Sequence, residues 1–298
     1  MQIPEIDFHQ DRPRAQIAEE VARALGDTGF MTVRNLGIEE AQIEAMFARS
    51  RDFFLQDSAF KQRFRYRDAG ENFGFQALGM ESLDPQQPPD LKETFTMRLN
   101  PATPLADSRF PSRDFRRQVE GFYKACLQAS GELLAVMAAV FRLPEDFFSC
   151  TVGGENVALR LLFYPGGQQA PGDGSLGAGA HTDYGILTLL FQGGVGGLEV
   201  RGADGTWMSV PCTPGSVVIN TGDLMQHWTN GRFRSTEHRV RAMTGMQDRL
   251  SIAFFVDPDS QTLVDVLPQC VDEHNPPRFA PITAGEHIRR KLEQSHKS

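Results

Sequence analysis

Hydrophobic positions recur at helical spacing in the first half of the chain and at strand spacing in the second. Ile17, Val21 and Leu25 fall four apart, and Ile43, Met46, Phe47, Phe53 and Phe54 form a second apolar stripe over about four turns. Between these two predicted helices, residues 29–35 read as a strand. Residues 56–111 are rich in Pro, Gly and charge, and Asp84-Pro85-Gln86-Gln87-Pro88-Pro89 has the composition of a loop. Ser112 is placed to cap a long helix reaching Phe141, because Phe115, Val119, Phe122, Cys126, Leu133, Met137 and Val140 keep one apolar face. Such a helix is on the order of 45 Å long and suits bracing the side of a barrel.

From Asn156 the pattern changes to short alternating runs broken by Gly, Pro and Asn, which predicts a sandwich or barrel. The expected strands are 156–164, 186–191, 197–201, 206–210, 216–220, 236–241 and 249–256, with Asp204-Gly205 as a hairpin turn between two of them. The Gly-rich segment 166–179 reads as an exposed loop; no helical pattern follows it, so it is no phosphate cradle. Ala284 to Glu293 predicts a C-terminal helix. There is no internal repeat, and the expectation is one domain over residues 1–298, with 1–150 mainly helical and 151–298 a β core closed by that helix.

Composition narrows the function classes. The chain of 298 residues is 40% hydrophobic and 23% charged, as in ordinary globular proteins. A formal charge of -8 without any basic stripe argues against nucleic acid as a partner. Cys126, Cys150, Cys212 and Cys270 are scattered and form no Cys-x-x-Cys pair, which excludes a zinc ribbon and predicts free thiols in a reducing cytoplasm. No stretch reaches the 18 or so apolar residues of a membrane span.

Candidate chemistry concentrates in the second half. On a strand, His181 and Asp183 point to one face while Thr182 points away. Two imidazoles and one carboxylate are the set that holds non-haem Fe(II) and leaves positions open for substrate and O2, which needs a second His. His238 and His227 compete for that role. His238 is preferred because it lies in Glu237-His238-Arg239-Val240, shortly before Arg249-Leu250-Ser251. His9, His274, His287 and His296 sit in polar or terminal segments and are expected to be solvated. A zinc hydrolase would use similar ligands but needs a general base, and Glu237 should face away from the metal.

Arg249 and Ser251 alternate with Leu250, Ile252 and Phe254, so both faces of their strand look covered, and a buried Arg requires an anion. Its planar fork suits a carboxylate. Arg160, Leu162 and Phe255 are the candidate substrate contacts: the first two share a face with Tyr164, and Phe255 shares one with Arg249 and Ser251. For Arg160 a salt bridge at the barrel mouth is the competing expectation.

The spacing of His181-Thr182-Asp183, His238-Arg239-Val240 and Arg249-Leu250-Ser251 resembles the 2-oxoglutarate and Fe(II)-dependent dioxygenase superfamily, in its isopenicillin N synthase-like branch. Ile3-Pro4-Glu5-Ile6-Asp7, Leu161-Leu162-Phe163-Tyr164-Pro165 and Asn220-Thr221-Gly222-Asp223 with Thr229-Asn230-Gly231 extend the likeness over nearly the whole chain. The resemblance implies an α+β, mainly β fold: a double-stranded β-helix (jelly-roll, cupin-like) barrel with flanking helices. It implies Fe(II) on His181, Asp183 and His238, and 2-oxoglutarate as co-substrate with its distal carboxylate on Arg249, Ser251 and Tyr164. The implied reaction couples oxidative decarboxylation of 2-oxoglutarate to hydroxylation, desaturation or ring formation on a small organic molecule. Two alternatives share this fold: an Fe(II) oxidase that holds its own substrate's carboxylate on Arg249 and Ser251, and a catalytically silent binding module. Many relatives carry Asn where this chain has Leu162, which removes one polar contact near the iron.

Overall fold

The computed structural model describes residues 2–68, 70–83, 88–167, 176–243 and 245–295. Asp84 to Gln87 of the Pro-rich loop, residues 168–175 of the Gly-rich segment and His296 lie outside the described residues. The first half contains β1 (Glu5–Asp7), α1 (Arg14–Asp27), β2 (Phe30–Arg34), α2 (Glu40–Phe54), α3 (Ser58–Gln62), β3 (Phe73–Gln76), β4 (Glu93–Arg98) and α4 (Arg113–Val140). The second contains β5 (Ala158–Tyr164), β6 (Leu176–His181), β7 (Leu187–Gln192), β8 (Leu198–Arg201), β9 (Trp207–Ser209) and β10 (Val217–Asn220). It continues with α5 (Asp223–Trp228), β11 (His238–Arg241), β12 (Arg249–Val256), β13 (Leu263–Val264), β14 (Ile282–Thr283) and α6 (Ala284–Ser295).

The long helix begins as predicted: the Ser112 hydroxyl accepts the Phe115 N–H at 3.1 Å, satisfying one of the free donors of the first turn. Residues 56–111, which the pattern leaves unassigned outside the loop at Asp84, contain α3, β3 and β4, and the two strands extend the main sheet. One expectation is corrected. The last part of the Gly-rich segment is strand β6 rather than exposed loop. Its glycines answer a packing need: a Cβ on Gly177 would lie 2.9 Å from the Tyr164 ring and 3.0 Å from the Arg241 carbonyl oxygen.

Eight strands pair in the order β1-β2-β10-β7-β12-β5-β4-β3, and four more in the order β6-β11-β8-β9. The two sheets form the jelly-roll core. Strand alternation divides the large sheet into two working surfaces. Leu159, Leu161, Phe163, Leu250, Ile252, Phe254, Leu187, Leu189 and Phe191 face the helices and join one cluster with Val21, Phe53, Phe115 and Leu133. Leu162, Tyr164, Val218 and Ala253 face inward and meet Ala178, Leu198, Val200 and Val240 of the small sheet. Register then lines up Ser251 beside Leu162 and Gln192, and Ala253 beside Arg160 and Leu190. The inward surface therefore carries the polar residues, and the outward surface carries the core.

Candidate metal centre and anion pocket

The pairing of β11 with β6 sets His238 directly opposite His181. Asp183 follows where the chain leaves β6, and its backbone carbonyl accepts the Asp223 N–H at 2.8 Å. That contact needs glycine at 222, because a Cβ there would sit 2.5 Å from the Gly185 carbonyl oxygen and 2.7 Å from that of Asp183. His181, Asp183 and His238 are thereby brought together with one donor atom each, all within 4.8 Å of one another. Asp183 Oδ1 lies 3.9 Å from His181 Nε2 and 3.7 Å from His238 Nε2.

Each donor is oriented from behind. His181 Nδ1 sits 2.8 Å from the Gly179 carbonyl and His238 Nδ1 sits 3.2 Å from that of Thr236. Both contacts require N–H at Nδ1, so that the two Nε2 lone pairs face the centre. Asp183 Oδ2 accepts hydrogen bonds from Thr188 Oγ1 at 2.6 Å and Asn220 Nδ2 at 2.7 Å, leaving Oδ1 for a cation. Burial works against the charge of Asp183, but the two imidazoles and these hydrogen bonds outweigh it and hold its carboxyl below the ordinary range. Burial, reinforced by His238, pushes His181 well below the usual imidazole range, so its ring is the neutral form a metal needs. The donor set fits Fe(II).

Arg249 is fully buried at the start of β12. Its Nε donates to the Gly196 carbonyl at 3.0 Å, its Nη1 donates to Ser251 Oγ at 3.2 Å, and its guanidinium lies 4.7 Å from the centre of the Tyr164 ring. Nη2 is buried with no hydrogen-bond partner, and among the described residues no carboxylate pairs with the side chain. A buried guanidinium with one donor left over calls for an anion. On the same inward side, Leu162, Tyr164, Leu198 and Val200 belong to one mainly apolar cluster.

Arg160 forms the salt bridge. Its Nη2 pairs with Glu81 and lies 3.3 Å from Thr94 Oγ1; Glu81 also faces Lys92 at 3.4 Å, and Lys92 pairs with Asp90 at 2.5 Å. Asp90 in turn accepts the Gly179 N–H at 2.8 Å, beside His181. Phe255 is partly buried on the inward face, as the alternation required. His227 lies apart from the metal cluster, stacked on Phe279 at 5.0 Å. His9 and His274 are exposed as expected, whereas His287 is not solvated: it is largely covered and lies 3.8 Å from Asp223. Glu237 points away from the centre and pairs with Arg201. Sequence reasoning missed Thr188 and Asn220, inward polar residues of the mainly apolar strands β7 and β10. It also missed Asp257, whose carboxyl is pushed up to about 7 by burial and then by the charge of Asp183.

Comparisons with known proteins identify the family. Residues 155–258 match the 2OG-Fe(II) oxygenase superfamily, and residues 3–116 match the non-haem dioxygenase N-terminal family. Gibberellin 2-beta-dioxygenase 4 of Arabidopsis thaliana is 32% identical over 97% of this chain and 90% of its own. A 2-oxoglutarate-dependent dioxygenase of Aspergillus rugulosus is 30% identical over 91% and 92%. Among solved structures, a full-length Neurospora crassa protein in complex with alpha-KG (2-oxoglutarate) superposes with a TM-score of 0.88 at 27% identity, covering 99% of this chain and 96% of that one.

Proposed function

The chain belongs to the 2OG-Fe(II) oxygenase superfamily, and on that premise we propose that His181, Asp183 and His238 are its iron ligands and that Arg249, Ser251 and Tyr164 seat the distal carboxylate of 2-oxoglutarate. The enzyme couples oxidative decarboxylation of 2-oxoglutarate to oxidation of a small organic molecule. For hydroxylation, R–H, O2 and 2-oxoglutarate give R–OH, succinate and CO2. Bound iron supplies the redox chemistry. The observation that carries the co-substrate assignment is the unpartnered Nη2 of Arg249. Nη2 and the Ser251 hydroxyl take the far carboxylate, and the Tyr164 ring fixes the plane of the guanidinium beneath it. This directs the keto-acid end of the molecule back toward the metal cluster, and the apolar inner wall keeps water from the reacting end.

The substrate site extends along the same inward face to Leu162, Phe255 and Arg160. Because Glu81 already offsets the charge of Arg160, that edge is polar without being cationic. A neutral, planar small molecule resting on Phe255 fits it better than an organic acid does. The same Neurospora crassa protein, solved also with thymine and with 5-formyluracil, is a relative that binds small neutral rings. The whole chain works as one oxygenase unit on a free small molecule rather than on nucleic acid. Its free cysteines suit the reducing cytoplasm, and among the described residues no helix is long and apolar enough to cross a membrane.

Anaerobic titration of the Fe(II) protein with 2-oxoglutarate tests the assignment. Chelation of the metal by the keto acid should produce a weak visible charge-transfer band, and readmitting O2 should release succinate. Iron bound without any band would refute the co-substrate site.

A further inference from the structure

A dense convergence of polar groups outside the donor set is on Asp223, the first residue of α5. Its Oδ2 accepts from Lys291 Nζ at 2.7 Å and from Thr182 Oγ1 at 3.3 Å, and His287 Nε2 lies 3.8 Å away. Its Oδ1 accepts from Ser235 Oγ at 2.5 Å. Its own N–H holds the Asp183 carbonyl, and the next N–H, of Leu224, reaches Tyr184 and Gly185 at 3.2 Å. Two further contacts tighten the same knot: Lys291 Nζ lies 3.5 Å from Thr182 Oγ1 and 5.3 Å from the centre of the Tyr184 ring.

Two of these partners, Thr182 and Ser235, lie on the segments that carry the metal donors. Thr182 separates His181 from Asp183. Ser235 precedes Thr236, whose carbonyl orients His238. One carboxylate therefore binds both segments that carry the donors, and the cation satisfying it comes from the far end of the chain. Helix α6 delivers that cation with a fixed root, since the Ala284 and Gly285 N–H groups donate to the Thr262 and Ser260 carbonyls at 2.9 and 3.0 Å.

We infer that Asp223 is a positioning residue for the iron centre and that α6, through Lys291, clamps the two donor-bearing segments onto it, so that metal retention depends on the C-terminal helix. The inference rests on His181, Asp183 and His238 being the ligands. Without Lys291, the Asp223 carboxylate loses its strongest partner in a largely covered setting and releases Thr182 or Ser235. The donors then sample wider spacings before metal binds. Outer groups that orient metal ligands typically contribute ten- to hundredfold in affinity, which sets the scale to look for.

The experiment measures Fe(II) dissociation constants anaerobically by competition with a chelator, together with hydrogen exchange of the metal-free protein over residues 181–185 and 235–238. Asp223→Asn should weaken Fe(II) by roughly tenfold or more and speed exchange in both segments. Lys291→Met should do the same more mildly while leaving the fold intact, because Lys291 is partly exposed, and Lys291→Arg should recover most of the affinity. Tyr123→Phe removes a hydrogen bond from α4 to the Val157 carbonyl; it should lower Tm without moving the Fe(II) constant, which separates positioning from general stability. His181→Ala is the control on the ligand reading. If it binds Fe(II) like the parent, the ligand assignment fails. If it loses Fe(II) while Asp223→Asn and Lys291→Met keep parental affinity and exchange, the clamp is refuted and the ligands stand.

Discussion

Arg249→Lys isolates what the guanidinium does, because it keeps the charge and removes the geometry. In the parent three nitrogens have separate tasks: Nε holds Gly196, Nη1 holds Ser251 and Nη2 is left for a guest. An ammonium at this depth can satisfy Gly196 or Ser251, but it cannot also offer two parallel donors to a carboxylate. The loss is one charge-assisted hydrogen bond, about 1.5 to 3 kcal/mol, or about ten- to hundredfold in the 2-oxoglutarate dissociation constant. Ser251→Ala removes a neutral donor and should cost about 0.5 to 1.5 kcal/mol, roughly two- to tenfold. Both are read from the anaerobic charge-transfer titration, with Fe(II) affinity measured separately and expected to stay near the parent's. Unchanged 2-oxoglutarate constants in both variants would show that the pair does not hold the co-substrate, even with the metal site correct. A fall in Fe(II) affinity as large as the fall in 2-oxoglutarate affinity would show that Arg249 supports the fold of the site rather than the guest.

Three further outcomes are expected. His181→Ala, Asp183→Ala and His238→Ala should each abolish oxygen-dependent turnover in a folded protein, whereas His227→Ala should keep it; the reverse result for His238 and His227 would reassign the third ligand. Asn220→Ala and Thr188→Val each remove one hydrogen bond from Asp183 Oδ2 and should weaken Fe(II) by about tenfold to a hundredfold; equilibrium dialysis showing parental affinity would mean that the carboxylate needs no such support. In metal-free protein, Asp257 has its folded pKa raised to about 7 from 3.8, so its contribution is fully present below about pH 4 and is lost as pH rises through 7. Asp257→Asn should thus gain on the parent between pH 4 and 8, by roughly 1 kcal/mol or more, and parallel Tm-against-pH curves for the two proteins would refute that account.

The strands of the second half were legible because burial on both faces leaves short apolar runs, bounded by Gly, Pro and Asn, that survive in the sequence. Val217 and Ile219 turn outward while Val218 and Asn220 turn inward, and no local rule competes with that period. Strand β6 was not legible. Leu176-Gly177-Ala178-Gly179 carries almost no apolar signal, because its glycines exist to let Tyr164 and the neighbouring strand approach. Strands β3 and β4 were hidden by the charge around them, in part Glu93 pairing with Lys61 and Lys92 pairing with Asp90. The cluster of His181, Asp183 and His238 was readable from the His-x-Asp pair, the context of His238 before Arg249-Leu250-Ser251 and the family resemblance together. Its support was not, because Thr188, Asn220 and Asp223 meet it only through contacts fixed by the fold. Likewise the sequence offered His287 to solvent, and only the docking of α6 turned it toward Asp223.

The same alternation explains how a site so dense in charge is compatible with a stable sheet. On β5 and β12 every outward residue from Leu159 to Phe163 and from Leu250 to Val256 packs against the helices, so the sheet's cohesion does not depend on what stands inward. The inward row is then free to hold Arg249 with an unmet donor and Arg160 in a bridged pair. Either arrangement would be costly in a layer that also had to supply the core. The two arginines differ in their counter-charges. Arg160 has Glu81 at hand, with Lys92 and Asp90 completing a neutral set, and needs no guest. Arg249 has hydrogen-bond acceptors but no counter-ion among the described residues, so its charge is compensated only when an anion arrives. On the proposed reading, anion recognition falls to Arg249, and the Arg160 end is left to read shape and neutral polarity.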